Sequence, residues 1–230
     1  MSDRKMRELT VNQMVQMQSD LNSLINPNWM NERTKDDFMM QIIDEMSELL
    51  GSNVHYKWWK KAPEGEVDIH NIKIEIIDII HFALSIAAIV EHRNPCESYI
   101  EFDEFQPPTL LNGNKVDSNV FVNIFRTCDV IEPYMPGANN IEFHVQDILE
   151  YICSIIDITS EELSAVYTAK YVLNQIRQNN GYKDGTYVKV DDGVEDNVKL
   201  KKAIDSFLED KSKDLETLKS EVVDIFYVKV

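Results

Sequence analysis

The stretch from Ile72 to Val90, IKIEIIDIIHFALSIAAIV, is the most apolar run of this chain, and two acids, Glu75 and Asp78, lie inside it. Its apolar residues fall on nearly every side of a 3.6-residue period, which predicts a helix buried on most faces. The two carboxylates then have little route to water. Desolvating an ionised carboxylate costs on the order of several kcal/mol unless a partner charge or a metal neutralises it. A chain built this way must supply that compensation.

Only seven glycines and seven prolines occur in 230 residues, and long segments carry apolar residues at helical spacing. Both features predict an all-α helical bundle, taken as one domain over residues 1–230. Helices are expected over 4–25, 35–50, 69–92, 118–131, 139–156, 159–178, 197–209 and 213–225. Thr34 is the expected N-cap of the second, with Asp36 and Asp37 in its first turn. Residues 98–115, with Pro107-Pro108 and NGN, form a long excursion within a less regular inserted segment at about 95–135. Residues 178–197 hold two Gly-terminated turns flanking TYVKV, the expected place of a small hairpin.

Composition excludes several classes. Forty acids against 23 bases give a net charge of -17, which argues against binding nucleic acid through phosphate neutralisation and suits cation binding. The odd, widely spaced cysteines Cys96, Cys128 and Cys153 form no CxxC pair and point to a reducing cytoplasm, without disulfides or a zinc cluster. The N-terminus lacks the apolar core of a signal peptide. The apolar part of the opening stretch is far shorter than the roughly 20 residues a helix needs to cross a membrane.

The compensation sought for Glu75 and Asp78 has a counterpart upstream. In DDFMMQIIDEMSELL, Phe38, Ile42, Glu45 and Leu49 follow i, i+4, i+7 and i+11, so Glu45 lies in the apolar stripe and Glu48 at its edge one turn on. Two carboxylate pairs at i, i+3 spacing, EMSE and EIID, would converge from an antiparallel helix pair. Lys60, Lys61 and Lys73 are too few to neutralise four such acids, so a divalent metal is the expected counter-charge, and an all-oxygen set suits Mg2+ or Mn2+. A di-iron carboxylate bundle is the metallic competitor, but it wants Glu-x-x-His motifs. His81 gives DIIH, whereas Glu48 is followed at that interval by Gly51, so half the pattern is missing.

A basic face follows in the C-terminal third. Lys170, Asn174 and Arg177 lie at i, i+4 and i+7, in line with Leu163 and Val166, which draws them towards the interior. Lys183 and Lys189 follow in the loop with Gly181 and Gly185. Such cations bind phosphate oxygens by charge-assisted hydrogen bonds, and metal-held acids with a basic row suggest a polyphosphate ligand. Pairing of Lys170 and Arg177 with surface acids such as Glu161 or Glu162 is the alternative.

Taken together, EMSEL with EIIDIIHF, the aromatic-basic HYKWWKK between them, and KYVLNQIRQNNGYKDGTYVK with EDN resemble the dimeric deoxyuridine triphosphatase family, within the all-α nucleotide pyrophosphatases. The resemblance covers nearly the whole chain, and least clearly residues 95–135. It implies hydrolysis of dUTP to dUMP and pyrophosphate on two or three Mg2+ ions held by Glu45, Glu48, Glu75 and Asp78, with Glu48 orienting or deprotonating the attacking water. It further implies that Lys170, Asn174 and Arg177 clamp the phosphate tail, with Lys183 and Lys189 beside them. Gln18 and Asn22 would read the base, Trp59 and Tyr182 would line its pocket, and Phe82 would pack on the sugar. Trp58 is expected in the core. A homodimer with shared active sites in the cytoplasm, host cytoplasm for a phage-encoded protein, is also implied.

Two other readings stand beside this one. The same chemistry can act on dCTP or on several nucleotides, and a nucleotide-binding regulatory protein with a protein partner can keep the metal site without turnover.

Overall fold

The computed structural model describes residues 6–51, 55–62, 64–93, 111–112, 115–116, 118–129 and 145–227. Its architecture is all-α, as the sequence predicts. The chain divides into two compact units, one of Met1–Leu9, Met17–Trp29 and Thr159–Val230, the other of Thr10–Gln16 and Met30–Ile158.

Helix α1, Val11–Ile25, begins seven residues later than the expected start at residue 4. Thr10 and Gln13 form a capping box there: the Gln13 amide N–H donates to Thr10 Oγ1 at 3.2 Å, and the Thr10 N–H to Gln13 Oε1 at 2.8 Å. Residues 6–9 are used otherwise. The Leu9 N–H donates to Ser164 Oγ at 2.9 Å, and Met6 O accepts from the Leu215 N–H at 3.0 Å. A single helical turn, α2, Trp29–Glu32, follows α1.

In the Met30–Ile158 unit, α3, Lys35–Leu49, packs on α4, Ile69–Arg93. Thr34 caps α3 as expected, its side chain accepting from the Asp37 N–H while Asp37 returns a bond to the Thr34 N–H. Ile42 and Leu49 of α3 and Ile76, Ile77, Ile79, Ile80 and Leu84 of α4 are fully buried. Each such side chain contributes roughly 1.5–3 kcal/mol of burial. A two-residue ladder, β1, Leu111–Asn112, with β2, Lys115–Val116, precedes α5, Ser118–Asp129, and α6, Val145–Ile155, which pack on each other. Most of segment 95–135 lies outside the described residues, as do residues 139–144 of the expected fifth helix. Cys128 and Cys153 are free and buried, and burial first, then the Asp129 charge, pushes the Cys128 thiol up to about 12. Cys96 lies outside the described residues.

In the other unit, α7, Ser160–Asn179, is covered by α8, Asp196–Glu209, and α9, Leu215–Tyr227. Helix α7 ends in a Schellman motif. The Tyr182 N–H reaches Arg177 O at 3.0 Å across Gly181, whose φ of +88° suits glycine and whose added Cβ would strike the Thr186 hydroxyl. Gly181 thus serves to stop the helix.

The small hairpin expected within residues 178–197 is present, at its C-terminal end. Strand β3, Val190–Asp191, pairs with β4, Val194–Glu195, in the register Val190 to Glu195 and Asp191 to Val194. Asp192 and Gly193 both take positive φ, +51° and +76°, the requirement of a two-residue type I′ turn. The DG pair therefore sets the register, and only the last residue of TYVKV joins a strand. No helix among the described residues is long and apolar enough to cross a membrane.

Candidate functional site

Helices α3 and α4 bring the predicted acids together. Glu45, Glu48 and Glu75 each offer a carboxylate oxygen within 4.8 Å of the others. Helix periodicity explains the set: Glu45 and Glu48 are one turn apart on α3, and Glu75 projects from the α4 face that buries Ile72 and Ile76. Glu75 is buried, Glu45 half-buried and Glu48 exposed, so one end of the cluster is open to solvent.

The donor set fits a hard divalent cation. Oxygens bound to one Mg2+ or Ca2+ sit about 2.0–2.6 Å from it, so two of them can be no more than about 4–5 Å apart. The three carboxylates, within 4.8 Å of one another, meet the limit for the larger ion, and small side-chain rotations would bring them to that of Mg2+. Asp78 is half-buried one turn beyond Glu75 and is not within that 4.8 Å group. His81 is buried and does not join the cluster either. That leaves the di-iron pattern unsupported. Lys61, one of the lysines weighed as a neutralising partner, pairs instead with Glu64 at 2.7 Å.

Phe82 of α4 packs obliquely on Phe38 of α3, with centroids 6.4 Å apart. Between α3 and α4, Trp58 and Trp59 are both exposed, so the expectation of Trp58 as a core residue is corrected. The reason is local: both indoles occupy the centre of a tight turn, closed by the Lys60 N–H on Lys57 O at 2.9 Å, and a turn this short points its central side chains outward.

The basic residues lie in the Thr159–Val230 unit. Lys170 is 1% exposed and Arg177 8%, in keeping with the interior direction read from the sequence, and Asn174 is half-buried. Neither cation pairs with Glu161, which binds Arg7 and Lys211 instead. Lys170 Nζ donates to Asn197 Oδ1 at 3.0 Å. Arg177 grips Asp196 in bidentate fashion, Nε to Oδ2 at 2.9 Å and Nη2 to Oδ1 at 2.7 Å, and its Nη1 donates to Asn174 at 3.1 Å. Tyr187 adds its hydroxyl to Asp196 Oδ2 at 3.1 Å. Burial pushes the Asp196 carboxyl up, but the Arg177 guanidinium, the Tyr187 hydroxyl and the Asn197 N–H outweigh it and hold it below the usual range. Tyr187 is pushed up to about 12, by burial first and then by the Asp196 charge.

Asp196, Asn197 and Tyr187 fall in the EDN and TYVK stretches that carry the resemblance, but the sequence assigns them no individual role. The usable signal was EDN at the start of a helix, where an acid favours the N-terminus. Tyr182 and Lys189 are exposed, with the Lys189 ammonium 5.4 Å from the Tyr182 ring centre, and Lys183 Nζ is bonded to Ile25 O at 3.0 Å. Gln18 and Asn22, one turn apart on α1, are buried, and Gln18 Nε2 donates to Asn22 Oδ1 at 2.9 Å. The predicted amide pair is therefore a hydrogen-bonded unit.

A search of curated proteins finds no match. A family model described as dUTPase matches residues 10–182, about three-quarters of the chain, a span that takes in both acidic helices and the Lys170 to Arg177 face. The chain belongs to the dUTPase family, among the nucleotide pyrophosphatases.

Proposed function

We propose that this protein hydrolyses dUTP to dUMP and pyrophosphate, with Mg2+ as its metal. The observation that carries the reading is the convergence of Glu45, Glu48 and Glu75 within 4.8 Å in a chain matched by a dUTPase model. These three acids, with Asp78 beside them, would hold the metal. When bound, such ions polarise a phosphoryl oxygen and make water acidic enough to attack at neutral pH. Glu48 is the exposed member, so it has the access to solvent that a group taking a proton from water requires. Glu75, held in apolar surroundings on α4, fixes its carboxylate in place.

On the phosphate side, Lys170, Asn174 and Arg177, with Lys183 and Lys189, bind the charged tail by charge-assisted hydrogen bonds. Asp196 orients Arg177 through its two bonds, which lowers the cost of ordering the guanidinium when phosphate arrives. The amides of Gln18 and Asn22 read the donor and acceptor edge of uracil, and Trp59, Tyr182 and Phe82 line base and sugar. The protein works as a cytoplasmic homodimer.

Incubation with a panel of dUTP, dCTP, dTTP and UTP, with Mg2+ or with EDTA, and chromatography of the products tests this. Fastest release of pyrophosphate from dUTP, lost in EDTA, is the expected outcome. Faster turnover of dCTP would overturn the substrate, and tight dUTP binding without turnover would favour a regulatory binding protein.

A further inference from the structure

The segment joining α3 to α4 leaves Trp58 85% and Trp59 61% exposed, against 3% for Trp29. Indole is a costly side chain to leave in water. The two rings stand edge to face, with centroids 5.9 Å apart and an interplanar angle of 84°. They occupy the central positions of the turn from Lys57 to Lys60, and one side chain ties both ends of that turn: His55 Nε2 lies 3.0 Å from Lys57 O and 3.0 Å from Lys60 O. Both partners are carbonyl oxygens and can only accept, so Nε2 carries the hydrogen and shares it between them. Beside the turn lies a cavity of about 350 Å³, bordered by Ser47, His55, Lys57 and Lys60. Ser47 directly precedes Glu48 of the acidic cluster.

We propose that His55 is a positioning residue for nucleotide binding, holding the Lys57–Lys60 turn in the one shape that presents the Trp58–Trp59 pair as a ready aromatic surface for the base. The inference rests on the reading above, in which Trp59 lines the base pocket. Its physical content is preorganisation: a turn already ordered before the ligand arrives spares the association the entropy of fixing those residues. Fixing one residue late would cost about tenfold in affinity. His55 acts through the backbone of its neighbours, so its loss should appear in KM and leave the chemical step alone.

The test compares His55→Leu, similar in bulk but unable to donate, with His55→Gln, whose NH2 can reach both carbonyls. Steady-state kinetics with dUTP and Mg2+ are measured alongside the tryptophan fluorescence anisotropy decay of the ligand-free protein, to which buried Trp29 gives a constant background. Expected for His55→Leu are a KM raised about tenfold, kcat within about twofold, and a new fast component in the anisotropy decay. His55→Gln should restore most of both, and His55→Ala replaces the leucine variant if that fails to fold. Unchanged KM and anisotropy in the variant lacking the donor would overturn the proposal, as would equal losses in the glutamine variant or a fall in kcat at constant KM. A wild-type protein that does not turn over dUTP would sink the functional reading instead, while the anisotropy comparison would still decide whether His55 holds the turn.

Discussion

Substituting Glu75→Gln isolates the electrostatic core of the site, because it keeps the shape and removes one charge. Two unit charges 4.8 Å apart repel by about 3.5 kcal/mol at an effective dielectric of about 20. Glu75 faces two such neighbours, but Glu48 is exposed and its share is largely screened. The half-buried Glu45 then accounts for most of the relief, about 1–2 kcal/mol after solvent screening. In a chain of this length that is a rise of roughly 2–8 °C in Tm for the metal-free protein. Magnesium should act in the opposite sense. At a hundredfold excess over Kd it stabilises the wild type by about 2.7 kcal/mol, and it should do little for the variant, which has lost a ligand. Calorimetric scans of both proteins in EDTA and in Mg2+ should therefore show their order of stability invert. A variant less stable than wild type in EDTA, or one that gains as much from Mg2+, would refute the claim that these acids are held apart for a cation.

Three further outcomes follow from the structure. Asp196→Ala strands the buried Arg177 without its bidentate partner and should cost about 3–5 kcal/mol in urea unfolding, with Asp196→Asn, which keeps one acceptor, costing less. Because the Asp196 carboxyl sits below its unfolded value, its contribution is present above about pH 4 and is lost as pH falls through the folded value, so the Asn variant should show a shallower loss of stability on acidification. Gln18→Leu removes the donor to Asn22 and one amide of the proposed base reader, and kcat/KM for dUTP should fall about a hundredfold while the helical signal in circular dichroism persists.

What the sequence made legible follows from which physical rules act locally. Seven of the eight expected helices agree with the described structure to within about two residues at every end it describes, because apolar periodicity and a cap such as Thr34 are properties of neighbouring residues. The exception is instructive. Helix α1 starts late because Leu9 and Met6 bond to Ser164 and Leu215, partners more than 150 positions away that no local pattern announces, although the TVNQ capping box was there to be read. The acidic cluster was legible for the same reason, since i, i+3 spacing and an apolar stripe determine which way a carboxylate points.

Partners are harder to read than faces. The periodicity of α7 directs Arg177 inward, and that much holds, but a direction does not say what waits there. The answer is Asp196, 19 positions on, brought back by a Schellman stop at Gly181 and a DG turn whose positive φ angles set the hairpin. Arg177 thus arrives with its Nε and Nη2 already committed to a carboxylate, so Arg177→Lys keeps the charge and loses the fork. If this guanidinium meets phosphate as one oriented unit, that variant should raise KM for dUTP by about tenfold or more, while Asp196→Asn, which weakens the hold on the fork, raises it less. Equal KM values for wild type and Arg177→Lys would mean that the pair serves the fold alone.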